Sequence, residues 1–191
     1  KVLMTTDDQT VGGIHGAQSN GEYALFGSTD GVLWVKEDQS YGLIPYPQPL
    51  ENSSGNWIGT INGAGETFIG SSRNHGLFKI DPVKQRVESL YPSDQIVDFQ
   101  VSSDGKHTVT LLKDNQLILL DNAALKVLVQ SPIPDQPEIA KGFKMAIHDD
   151  LVFVTAMGYK HISILDLKTL NLLKTVHGDV AISDFKVLIK N

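Results

Sequence analysis

Short apolar stretches of five to seven residues punctuate this chain, each closed by Gly, Asn, Asp or Pro. This is the pattern of β-strands separated by tight turns rather than of helices. Four stretches share one form, a turn, an apolar strand and then a polar residue: "DGVLWVKED", "HGLFKIDP", "NQLILLDN" and "HISILDLK". Their landmark residues Gly31, Gly76, Gln116 and His161 stand 45, 40 and 45 residues apart, the period of a four-stranded propeller blade. A strand precedes each landmark ("EYALFGS", "TFIGSS", "HTVTLLK", "LVFVTAMG") and another follows it ("YGLIPYP", "RVESLYP", "KVLVQSP", "NLLKTVH"). Ahead of all three comes an innermost strand: "IHGAQS", "WIGTIN", "DFQVSS" and "FKMAIH". Asn20-Gly21, Gly63-Ala64-Gly65, Asp104-Gly105 and Asp149-Asp150 supply the hairpin turns between the first two strands. "NAALKVLVQ" has the look of a short helix, but its place in the repeat assigns it to a strand.

The expected fold is therefore all-β, a single β-propeller over 1–191 with about four four-stranded blades at 12–48, 56–92, 95–134 and 141–178. A closing strand at 181–191, "ISDFKVLIKN" within it, resembles the innermost strand "IVDFQVSSDG", while "KVLMTT" reads as an outer strand with no blade before it. Both need partners outside the chain, so the blades read as part of a seven- or eight-bladed ring. The alternative is a ring closed by four blades alone.

A propeller's loops alternate between two faces, and this sorts the six histidines. His15 begins an innermost strand, His75 and His161 lie in second-to-third loops, and His177 lies in an outer-to-inner loop. All four are expected on the top face, with His107 and His148 on the bottom. Counting back from the hairpins aligns His15 with Phe99, Phe143 and Phe185 and predicts an imidazole in a core position. Asp98 and Asp184 stand just before two of these phenylalanines and are expected to bond loop amides.

Composition narrows the chemistry. The chain has 191 residues, 41% hydrophobic and 20% charged, with a net charge of −6. That balance argues against a nucleic-acid face, which needs clustered Lys and Arg, and no apolar run approaches a membrane span. With no cysteine, a zinc site has to be built from His and carboxylate. The candidates are His15, His75, His161 and His177. No catalytic constellation stands out: there is no HExxH, paired HxH or Gly-rich phosphate loop. Ser28, Ser71 and Ser72 fall in turns without the strand–Ser–helix setting of a hydrolase.

One stretch is distinctive. "GGIHGAQSNGEYALFGSTDGVLWV", with His15-Gly16-Ala17, Phe26-Gly27, Asp30-Gly31-Val32-Leu33 and then Ile44-Pro45-Tyr46-Pro47, resembles the AztD-type periplasmic zinc metallochaperones and their actinobacterial relatives. "SSRNHGLFKIDP" and the C-terminal tail add weaker likeness. The resemblance implies a propeller of about twice this length, so that a second chain or an N-terminal half completes the ring. It also implies a non-catalytic, periplasmic protein that binds Zn2+ through histidines and carboxylates. Such a protein delivers the ion to the solute-binding protein of a zinc ABC importer. Only His15 matches a motif of the family, and the family's His-rich N-terminal loop has no counterpart here. Two other readings stand beside this one: an interaction propeller without metal, and a propeller enzyme of lactonase or quinoprotein type. A lactonase needs an acidic calcium cluster, for which Asp30, Asp94 and Asp179 are widely dispersed in sequence.

Overall fold

The computed structural model describes residues 12–50, 55–134 and 142–187. Every regular element among them is a strand, and the strands form four antiparallel four-stranded sheets in simple meander order. The first blade comprises β1 (Gly16–Ser19), β2 (Tyr23–Gly27), β3 (Gly31–Lys36) and β4 (Tyr41–Pro45). The second comprises β5 (Ile58–Ala64), β6 (Thr67–Ser72), β7 (Gly76–Asp81) and β8 (Arg86–Tyr91). The third comprises β9 (Ile96–Val101), β10 (His107–Leu112), β11 (Gln116–Asp121) and β12 (Lys126–Pro132). The fourth comprises β13 (Phe143–His148), β14 (Leu151–Ala156), β15 (His161–Asp166) and β16 (Leu172–His177). The helix-like "NAALKVLVQ" runs from a turn into strand β12.

The chain divides into two compact units, Lys1–Asp94 and Gln95–Asn191, with two blades in each. Within each unit, side chains alternate along the strands, and one face of each sheet packs against the other sheet. Leu25, Val32, Ile44, Ile58, Phe78 and Ile80 make the first core, flanked by Trp34 and Trp57. Val109, Leu117, Leu119, Val154, Leu165 and Leu170 make the second.

Turn chemistry repeats with the blades. Asp121 Oδ1 accepts the amides of Ala123 and Ala124 at 2.8 Å each, and Asp166 Oδ1 accepts those of Lys168 (3.1 Å) and Thr169 (2.8 Å). Each Asp ends a third strand and closes the turn to the outer one. Asp81 plays the same part through the Lys84 amide. Asp98 and Asp184 instead accept the amides of the phenylalanines that follow them, at 2.8 and 3.0 Å.

The two blades of the first unit are joined by Tyr46. Its hydroxyl donates to Ser28 O (2.6 Å), at the end of β2, and accepts from Ile58 N (3.0 Å), the first residue of β5. Burial pushes this phenol up to about 12, so it is neutral and donates at any physiological pH.

The stretch "KVLMTT" lies outside the described residues. The described part of the expected closing strand, 181–187, carries no strand. There Ile182 exchanges backbone bonds with the β14–β15 loop, accepting from Gly158 N (3.0 Å) and donating to Tyr159 O (2.7 Å). Residues 188–191 lie outside the described residues.

Candidate metal site

The ladder register corrects the position of His15. In every blade the first residue of the innermost strand faces the last residue of the second strand: Gly16 with Gly27, Ile58 with Ser72, Ile96 with Leu112, Phe143 with Ala156. The residues just before these strands are His15, Trp57, Gln95 and Gly142. His15 is thus the counterpart of Trp57, not of the phenylalanines. Counting from the hairpins fails because bulges in the second and third blades add residues between turn and strand start, and because β13 of the fourth blade has six residues where β1 has four.

His15 consequently does not plug a core. It is exposed, its amide donates to Gly27 O (3.0 Å), and its ring stacks on Trp57 with centres 4.8 Å apart and planes 16° from parallel. The apolar contact expected from a core position is replaced by stacking against the equivalent residue of the next blade.

His75 sits half-buried in the β6–β7 turn, its amide donating to Ser72 O at 3.3 Å. The turn is pinned to the residue before Trp57: Asn74 Nδ2 donates to Asn56 Oδ1 (2.7 Å) and Ser72 Oγ to Asn56 O (3.2 Å). His75 Nε2 is buried and has no hydrogen-bond partner among the described residues.

His161 and His177 come together. They open β15 and close β16, directly opposite each other in the ladder. Gly178 N donates to Lys160 O (2.6 Å) on the neighbouring rung, which makes the His rung a non-hydrogen-bonded one, where cross-strand side chains approach most closely. The ring centres are 5.8 Å apart and the planes 50° from parallel. Tyr159 presents its ring edge-on to His161 at 5.9 Å, and Thr155 Oγ1 donates to His161 O at 2.7 Å. Two imidazoles on one tetrahedral zinc, at Zn–N of about 2.0–2.1 Å, have ring centres roughly 5 Å apart. The observed separation of 5.8 Å lies close to that spacing.

The bottom-face histidines are placed differently. His107 opens β10 opposite Asp121, and His148 Nε2 lies 3.4 Å from Asp149 beside the hairpin. Among the described residues no three His, Asp or Glu side chains gather closely enough to hold a metal ion together. His15 and His75 belong to the first unit, His161 and His177 to the second. The turn serines have backbone roles: Ser28 Oγ donates to Gly31 O at 2.8 Å. Asp30 accepts the Gly12 amide at 2.6 Å.

Sequence reasoning missed the Trp57 and Tyr159 partners. Trp57 was legible as the aromatic that opens "WIGTIN", had strand starts rather than hairpins been aligned.

The glycines of the distinctive N-terminal stretch have a packing role. A Cβ on Gly27 would run into the carbonyl oxygen of Ile58, and one on Gly16 would crowd Gly59 O and Thr60 Cα. The end of β2 comes so close to the start of β5 that only glycine fits at position 27, and β1 is tightly packed against β5 at Gly16. This part of the motif reports on how the blades pack.

No family model matches the chain. Among solved structures, apo AztD from Citrobacter koseri is similar at a TM-score of 0.74 over 88% of this chain and 48% of that one, with 18% identity. A second crystal structure of Citrobacter koseri AztD is similar at 0.73, with the same coverage and identity. The chain therefore spans about half the length of these proteins, and its fold is that of a partial β-propeller of the AztD kind.

Proposed function

We propose that this chain is part of a periplasmic zinc metallochaperone. It binds Zn2+ through His15, His75, His161 and His177, two in each unit, and delivers the metal to the solute-binding protein of a zinc ABC importer. It is a carrier and not an enzyme, and Zn2+ is its cargo. The observation that carries the reading is the His161–His177 pair, two imidazoles held across one rung at a separation close to that of a zinc chelate. The buried Nε2 of His75, without a hydrogen-bond partner among the described residues, adds a further nitrogen suited to a metal, since neutral imidazole is a zinc ligand. The resemblance of residues 12–47 to the metallochaperone family supports the choice of metal.

The rest of the ring, in this reading, comes from a second chain or an N-terminal half, and residues 181–191 supply an innermost strand to a blade completed by it. The intact mass and subunit composition of the native protein test this; a lone 20.9 kDa species with all its blades closed on themselves would refute it.

Equilibrium dialysis against Zn2+ followed by metal analysis tests the function. Retained zinc that is lost on His→Ala substitution at these four positions, and kept in His107→Ala, is the expected result. A second reading, an interaction propeller without metal, is favoured by the bare outer strands of the second unit, where Val127, Leu128, Leu172 and Leu173 are exposed. Failure to retain zinc, with wild-type folding, would favour it.

A further inference from the structure

We infer that the free edge of β16 is a strand-addition site, which takes an extended peptide segment of another protein in which carboxylates alternate with apolar side chains. The inference goes beyond the zinc-carrier reading and does not depend on it. β16 is the outermost strand of its sheet, and among the described residues its ladder partner is β15 alone. The bond from Gly178 N to Lys160 O, with the register that follows it, fixes which backbone groups face outward. Hydrogen-bonded and non-hydrogen-bonded rungs alternate, so Val176 and Lys174 turn their N–H and C=O toward β15. Thr175 and His177 turn theirs away from the sheet. A strand laid along this edge meets two donors and two acceptors at the spacing of a ladder.

Outer strands are usually guarded against such pairing by proline, charge or bulges. Here the guards differ from blade to blade. β4 ends on Pro45, and β8 carries an ion pair along its own length, Arg86 Nη2 to Glu88 Oε2 at 2.8 Å. β12 ends on Pro132, which falls on an outward-facing rung because Ile133 N bonds Asn115 O just beyond it. β16 contains neither proline nor carboxylate. Its bulge, at Leu173, lies near the start of the strand and leaves the register regular from Lys174 to His177. Leu173 is 57% exposed, and Leu172 and Val176 are exposed with it. Charge selects the occupant. Lys174 is exposed in the middle of the edge. Asp166, before the strand, is held by its turn amides, and Lys168 pairs with Asp150. Asp179 stands two residues past the strand end. In a chain of net charge −6 this edge is cationic and apolar, and its complement is acidic and apolar. A second copy of β16 fits worse, because it would bring two cationic edges together.

The test uses the full chain and a fluorescently labelled peptide of alternating glutamate and valine, read by anisotropy. Two control probes are the same peptide with lysine in place of glutamate, and the acidic peptide N-methylated at alternate residues so that it cannot donate along one edge. Circular dichroism confirms the fold of each variant. The acidic peptide is expected to bind and both controls to fail. Thr175→Pro removes an outward N–H without touching a bond to β15, and should weaken binding about fivefold or more. Lys174→Glu should weaken it about threefold at low salt, a difference that added salt narrows. Lys126→Glu, on β12, should leave it unchanged. Absence of binding, equal binding of the acidic and basic peptides, or full binding of the N-methylated peptide would each overturn the site, whether or not Thr175→Pro folds. A dimer of the chain that Thr175→Pro dissociates would assign the edge to a second copy and overturn the acidic occupant. None of these readouts involves zinc, so the edge and the carrier reading fail separately.

Discussion

Each histidine of this chain is defined by its neighbour. His15 rests on Trp57, which gives it a built-in reporter. In a Trp34→Phe background, where Trp57 is the sole indole, Zn2+ addition should change the emission if His15 takes the metal, and His15→Ala should abolish the change. Emission unaffected by zinc would reduce His15 to a stacking residue. Tyr46 is defined by its two backbone partners. Tyr46→Phe strands Ile58 N in a buried setting and should cost about 1–3 kcal/mol, read as a lower urea midpoint with unchanged m. Asp98 is the opposite case, a carboxyl whose pKa burial pushes up, with Lys144 partly offsetting it. The fold favours its protonated form, so the ionised form costs stability above the raised pKa and the cost disappears as pH falls. Asp98→Asn should therefore melt higher than wild type at pH 7, the difference vanishing toward pH 3.

At the scale of the strand, turns and bulges set what faces what. Asp121 is held below the usual carboxylate range by the Ala124 and Ala123 amides, and Asp166 by the Thr169 hydroxyl and amide. A depressed folded pKa contributes stability above the unfolded value of about 3.9 and loses it as pH falls through the folded value. Asp121→Ala should accordingly lower the melting temperature at pH 7, and the gap from wild type should close as pH falls below about 4. A gap independent of pH would mean that the turn is held by its backbone alone. Close approach of strands makes a second, stronger demand. Gly27→Ala places a methyl against the backbone of Ile58, which cannot yield as a flexible side chain would. We expect a loss of at least the 1–3 kcal/mol typical of overpacking, seen as a clear drop in thermal stability. The bulges have a further effect on the outer strands: Leu128 and Leu173 are the extra residues at the β12 and β16 bulges and both are exposed.

At the scale of the whole chain, four repeats are arranged as two compact units of two blades. Each unit contains one interface between sheets, with its own apolar core. The histidines are divided in the same way, two per unit. The zinc stoichiometry of wild type and of the paired variants His15→Ala/His75→Ala and His161→Ala/His177→Ala should reflect that division. Each double substitution should remove part of the zinc and leave the rest. Loss of all zinc from either variant would mean that the metal needs ligands from both units.

Strand count, strand order and period follow from the sequence alone, because alternation, turn residues and the 45, 40 and 45 spacing are local properties that each blade repeats for itself. So do the turn-closing roles of Asp81, Asp121 and Asp166, which depend on amides two or three residues away. The end of the blade on which each histidine falls was legible for the same reason. What the sequence did not determine is which side chains meet. The equivalence of His15 with Trp57 depends on bulges that add a residue without a fixed sequence signature. The ring stack that follows depends on two blades packing side by side. The facing of His161 and His177 depends on the β15–β16 register, which the bulge at Ile164–Leu165 sets. Contacts across a ladder or between sheets join residues that are distant along the chain, and only the packed tertiary structure, by choosing one register among neighbours that differ by a single residue, decides them.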